Sequence, residues 1–260
     1  MNRSELKGLL DDAVKIHNQK KFIKADPISV PHRFSKKEDI EIAGFFAATF
    51  AWGNRTTIIN KANELMQLMD DAPNDFILHH QQKDLKRMEH FVHRTFNSTD
   101  LLFFIQSLKR LYNKHSTLEN VFLKNQSTKN FEMELALRNF CLEFFDEEFI
   151  PHRTRKHIAT PDRKSACKRL CMYLRWMVRD DKKVDFGIWK KIKSADLICP
   201  LDVHVGNVAR HLKLLHRSQN DWQSALQLTD ELRRLDANDP VKYDFALFSW
   251  GILSKKTPVN

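Results

Sequence analysis

Only six glycines occur in 260 residues. That scarcity argues against a glycine-rich nucleotide-binding fold and against an all-β chain, whose many turns need left-handed positions. Four cysteines (Cys141, Cys167, Cys171, Cys199) are too few for a dense disulfide framework and read as reduced thiols. Cys167 and Cys171 are spaced to share a helical face. With no two further ligands nearby, neither a metal nor a cofactor is expected. The adjacent His-Asp pair that a metal phosphohydrolase uses does not occur. No apolar run approaches a membrane span, and Met1-Asn2-Arg3-Ser4-Glu5-Leu6-Lys7 lacks the apolar core of a signal peptide. A membrane partner is not expected.

What the chain does have is apolar bulk and a concentrated charge. Hydrophobic residues make up 42%, including 19 phenylalanines, enough for a large packed core. The net charge of +10 is not spread evenly. Between Pro151 and Lys193 stand fourteen Lys/Arg against four Asp, an excess equal to that of the whole chain. A field so placed attracts a polyanion, most simply nucleic acid. A solvated basic face is the plainer reading, but it more often carries interleaved acids.

Apolar spacing predicts about ten helices and no strand. An amphipathic helix is expected over 4–20 and an extended connector from Phe22 to Phe34, which holds Asp26-Pro27 and Val30-Pro31. Ser35 to Glu38 reads as a capping box for a helix from Asp39 to Ala51, apolar on nearly every side and therefore central. Thr56 or Thr57 is the expected cap of the next helix, ending near Met69, and Thr99 or Asp100 that of a strong helix beyond it. Further helices are expected near 117–125, 131–147, 165–179, 185–193, from Pro200 and Asp202 to about Leu215, from Asp221 to Leu235, and over 240–253. The fold class is all-α, with 1–260 a single two-lobed domain.

Two stretches resemble the helix-hairpin-helix/Gly-Pro-Asp DNA glycosylase superfamily. Leu201-Asp202-Val203-His204-Val205 is similar to its Val-Asp-Thr-His-Val element. Ile42 to Met66, with Ala51-Trp52-Gly53-Asn54-Arg55 and Asn60-Lys61-Ala62, is similar to its buried helix, polar wedge loop and following helix. The layout of the whole chain also resembles an uncharacterised bacterial family, and within the superfamily it leans toward the archaeal 8-oxoguanine glycosylase branch. The usual Leu-Pro-Gly-Val-Gly hairpin is missing; Ala159-Thr160-Pro161-Asp162-Arg163 is the nearest match and has no glycine. The 34 residues from Lys168 to Asp202 form a long spacing, which the archaeal branch shares.

The resemblance implies a two-lobed helical glycosylase-like fold with a modified helix-hairpin-helix. It also implies excision of a damaged, oxidised purine base from double-stranded DNA, with or without abasic-site lyase activity. Asp202 would stabilise positive charge developing on the sugar, although by position alone it is equally a helix N-cap. Lys168, or alternatively Lys164, would be the nucleophile, with neighbouring cations favouring its neutral form. Arg163, Lys164, Arg169, Arg175 and His204 are expected DNA contacts, and Asn54 and Arg55 would fill the gap left by a flipped nucleotide. Trp52 reads as core; Trp176 and Trp189 read as either core or base-stacking. A monomer in the cytoplasm, associated with the nucleoid, is expected. A non-catalytic DNA- or RNA-binding protein on the same scaffold is the alternative reading.

Overall fold

The computed structural model describes residues 2–253, which are mostly helical. In chain order the helices are α1 (Arg3–His17), α2 (Lys37–Thr49), α3 (Arg55–Leu68), α4 (Pro73–His79), α5 (Gln82–Leu85), α6 (Ser98–Lys114), α7 (Leu118–Phe122), α8 (Met133–Phe144), α9 (Lys168–Val178), α10 (Val203–His211), α11 (Trp222–Arg233) and α12 (Asp244–Leu253). Two compact units divide them. The first takes the described residues up to Phe22 and those from Thr160 onward; the second is Ile23–Ala159.

The second unit is built around α2. Ten consecutive residues, Ile40 to Thr49, are buried, as the all-round apolar pattern predicts. Its phenylalanines account for much of the chain's aromatic content. Phe45 lies 5.8 Å from Phe104 and 5.6 Å from both Phe140 and Phe144, so α2, α6 and α8 meet through rings. Several carboxylates are buried in this unit, Glu41 of α2 among them. Glu41 accepts from Tyr112 Oη at 2.8 Å and the Leu118 amide at 3.1 Å, and also from Thr117 Oγ1, so its charge is hydrogen-bonded rather than stranded.

Several local expectations fail for identifiable reasons. The 22–34 connector is a run of 3-10 turns (Lys20–Ala25, Pro27–Ser29, Pro31–Arg33), because proline suits the first position of such a turn. The N-cap of α2 is Lys36, with no side-chain cap bond; Asp39 instead accepts from the Asn74 amide at 2.8 Å. Asn54, not a threonine, caps α3, and Asn97 with Asp100 forms the capping box of α6. A strand pair was not expected, yet β1 (Val92–His93) and β2 (Phe96–Asn97) form a minimal antiparallel hairpin. Two residues per strand are too few for alternation to register.

The first unit holds α1 and α9 to α12. Trp176, Trp189 and Tyr173 are fully buried, with Tyr173 edge-on to Trp189 at 5.4 Å, so both of these tryptophans are core rather than base-stacking. The expected helix at 185–193 is absent. That stretch instead runs along the end of α9, where the Phe186 and Trp189 amides donate to the Trp176 and Met177 carbonyls. Those carbonyls lie in the last turn of α9, where a helix offers no amide of its own. Among the described residues, no helix is long and apolar enough to cross a membrane.

Candidate active site

Lys168 is the first residue of α9 and Asp202 is the N-cap of α10. Two helix starts therefore meet in one unit. Asp202 divides its carboxylate: Oδ1 accepts from the Val205 amide at 3.0 Å, while Oδ2 faces Lys168 Nζ at 3.3 Å. The cap bond fixes the carboxylate's plane, and the remaining oxygen is presented to the amine. Both side chains stay partly open to solvent, at 30% for Lys168 and 19% for Asp202. The two roles open for Asp202 from sequence, cap and reactive carboxylate, are thus geometrically compatible.

Seven residues along α9 from Lys168, two turns on, stands Arg175. It is buried, and its Nη1 is ion-paired with Asp244 at the start of α12. Arg175 also lies 3.4 Å from Asp185, which in turn sits 3.0 Å from Arg179; Arg179 then engages Asp181 and Asp239. Charges alternate through the interior, as buried ions require. Burial pushes the Asp244 carboxyl up to about 6; Arg175 draws it back, Asp202 raises it again and Lys168 lowers it. Asp244 therefore belongs to the same electrostatic group as the Lys168–Asp202 pair.

Sequence reasoning missed Asp244. The available signal was a lone acid at the start of an otherwise apolar helix, after Asn238-Asp239-Pro240. Helix-start acids are common, so the signal carries little weight without a partner. Arg175, expected to grip DNA, is committed instead to buried carboxylates.

His204 is half-buried and tied to α12. Its Nδ1 donates to the Gly251 carbonyl at 3.0 Å, which leaves Nε2 as the other ring nitrogen. Gly251 permits the approach, since a Cβ there would lie 2.8 Å from His204 Cβ. Arg163 and Lys164 are exposed on a 3-10 turn, Pro161–Arg163, that Thr160 caps. Lys164 itself adopts a left-handed φ of 56° and Cys167 one of 49°, so the chain turns into α9 without glycine. Arg169 is half-buried in the first turn of α9, and burial draws its guanidinium down to about 10, still charged at neutral pH. Cys171 and Cys199 are buried, which pushes their thiols up and keeps them protonated. Among the described residues no three His, Cys, Asp or Glu side chains are grouped to hold a metal ion.

The basic segment 151–193 is not all surface. It crosses from one unit to the other between Ala159 and Thr160, and Arg175 and Arg179 are interior. Lys182 and Lys190 share Asp180 at 2.9 and 3.1 Å, and Arg153 lies 3.3 Å from Asp100. A count along the sequence cannot tell a surface cation from a buried one.

In the second unit, Trp52-Gly53-Asn54-Arg55 forms the turn from α2 into α3. Asn54 is exposed but employed, accepting from the Thr57 amide at 3.1 Å, and Arg55 is the exposed first residue of α3. Trp52 is half-buried rather than core, edge-on to His93 at 4.8 Å. The two groups of expected site residues thus fall in different units: Asn54 and Arg55 here, the other seven in the first.

Comparison with known proteins gives one match. A family model described as "Protein of unknown function (DUF2400)" covers residues 26–253. No curated protein and no solved structure matches the chain.

Proposed function

We propose, from the premise that the chain belongs to the DUF2400 family, that it is a DNA glycosylase with a glycosylase-like helical fold, acting as a single chain on a damaged base in duplex DNA. The observation that carries the reading is the Lys168–Asp202 pair, an amine and an oriented carboxylate 3.3 Å apart at two helix starts. The resemblance of Leu201-Asp202-Val203-His204-Val205 supports it.

In this reaction the bond from sugar to base breaks with positive charge developing on the sugar. Asp202 Oδ2 would take a proton from the Lys168 ammonium it faces, freeing the amine to attack the anomeric carbon, and pass that proton to the departing base, after which the restored carboxylate faces the positive charge on the sugar–lysine adduct. The base departs with the electron pair of the broken bond. In the resulting lysine–sugar adduct the nitrogen lone pair would expel the ring oxygen, which takes the adduct's proton and becomes a hydroxyl, leaving a Schiff base that permits strand cleavage. Lys168 is preferred over Lys164 because Lys168 faces a carboxylate, whereas Lys164 is exposed on its turn. The oxidised-purine substrate rests on the branch resemblance.

Borohydride trapping on duplexes carrying 8-oxoguanine or an abasic site tests the reading. A covalent adduct is expected with the wild type and with Lys164→Ala, and none with Lys168→Ala. Absence of both adduct and base release across a lesion panel, with salt-sensitive DNA binding intact, would establish a non-catalytic binding protein instead.

A further inference from the structure

The β1–β2 hairpin of the second unit carries an arginine where hairpins ordinarily place glycine. His93 pairs with Phe96, so Arg94 and Thr95 form a two-residue turn, and Arg94 has a left-handed φ of 54°. Any residue with a Cβ is strained there, and hairpin turns use Gly, Asn or Asp at such positions. Glycine would relieve the strain, so arginine stands here at a cost to the fold.

That side chain is held in a defined place. Gly53 has a φ of 100°, and a Cβ built there would run into Arg94 Nη1, with Arg94 Cδ and Cζ each 3.3 Å away. The guanidinium thus lies directly on the Gly53 backbone, beside Asn54. The turn that carries it is pinned on both sides of Arg94. Arg153 donates to the Thr95 carbonyl at 2.8 Å and lies 3.3 Å from the buried Asp100. His93, on β1, donates from Nε2 to the Phe50 carbonyl, 3.0 Å away, and packs on Trp52. Yet Arg94 is exposed, and among the described residues it has no carboxylate or hydrogen-bond partner. A cation held in strain against a glycine, on a braced turn and unneutralised, is poised for an anion from outside.

We infer that Arg94 grips a backbone phosphate of duplex DNA passing over the Trp52-Gly53-Asn54-Arg55 turn. This rests on the DNA reading above and adds to it a contact from the hairpin. The glycine at position 53 is then accounted for, because a side chain there would collide with the guanidinium, whose exposed fork suits two phosphate oxygens.

The test is the salt dependence of binding to a short fluorescein-labelled duplex, followed by anisotropy with the full chain between about 50 and 200 mM salt. Loss of one phosphate contact makes the log–log slope shallower by about one. Arg94→Gln and Arg94→Gly should both show this loss, while Arg94→Lys, which keeps a point charge, should retain the slope. Arg94→Gly should also melt at or above the wild-type temperature, because the strain is gone. A structural prop would behave oppositely, with a lower melting temperature and an unchanged slope, and that result overturns the inference. If the wild type binds the duplex and all three variants match it in slope, Arg94 is not a contact while the DNA reading stands. If the wild type itself fails to bind, the DNA reading falls and this inference with it.

Discussion

Asp202 plays two roles with two oxygens, and substitution can separate them. Asparagine is as good an N-cap as aspartate, so Asp202→Asn should keep the bond to the Val205 amide while removing the charge that faces Lys168. The lost ion pair is partly open to solvent and contributes about 0.5 kcal/mol. Asp202→Ala loses the cap as well, about 1 kcal/mol more. At about 2–4 °C per kcal/mol for a chain of this size, Asp202→Asn should lower the melting temperature by about 1–2 °C and Asp202→Ala by about 3–6 °C. Calorimetry measures both. Under the proposed reaction, both variants should also release base or trap adduct roughly a hundredfold or more below wild type, the usual cost of removing one preorganised electrostatic group. Equal destabilisation by the two variants would refute the capping argument. Near-wild-type trapping by Asp202→Asn would refute the catalytic one, because an amide cannot supply the charge.

Other consequences concern stability. Asp244 is an acid whose folded-state pKa, about 6, lies above its ordinary 3.8, so between those values the folded state holds more of its proton than the unfolded state. Its contribution is therefore most favourable below about pH 4 and is lost as pH rises through 6, by up to about 3 kcal/mol. Relative to Asp244→Asn, the wild type should lose stability over that window in urea titrations at stepped pH; a flat difference would mean Asp244 is not buried as described. Glu143 should behave in the opposite sense. Burial raises it, but Lys114 and Lys124 hold it down at about 2, so its stabilisation is present above about pH 4.5 and lost as pH falls toward 2. Glu143→Gln should cost about 2 kcal/mol at pH 7, allowing for half-exposed lysines, and should abolish that acid-side loss. Phe45→Ala should cost about 3–5 kcal/mol by leaving a void among Phe104, Phe140 and Phe144, read from the denaturant midpoint.

Local interactions were legible in the chain itself, and the successes share that cause. The all-α class, the central burial of α2 and the helix start at Asp202 each follow from spacing and capping within a few residues. The errors were of two kinds. Where several capping residues lay close together, as at Asn54, Thr56 and Thr57, sequence could not rank them, because the choice depends on where the preceding chain arrives. Where a segment was satisfied by a distant neighbour, local pattern misled. The 185–193 stretch carries helical spacing but donates its amides to the end of α9.

For the candidate site the division is sharper. The sequence by itself determined that Asp202 stands at a helix start, that Lys168 lies early in a helix expected over 165–179, and that the chain bears a strong positive excess. Only tertiary structure decided that the two meet at 3.3 Å, that Arg175 turns inward to Asp244, and that Arg94 lies on Gly53. These contacts join residues 34, 69 and 41 positions apart. A short-range pattern holds no record of such separations, because the energy that fixes them comes from burying whole helices against each other.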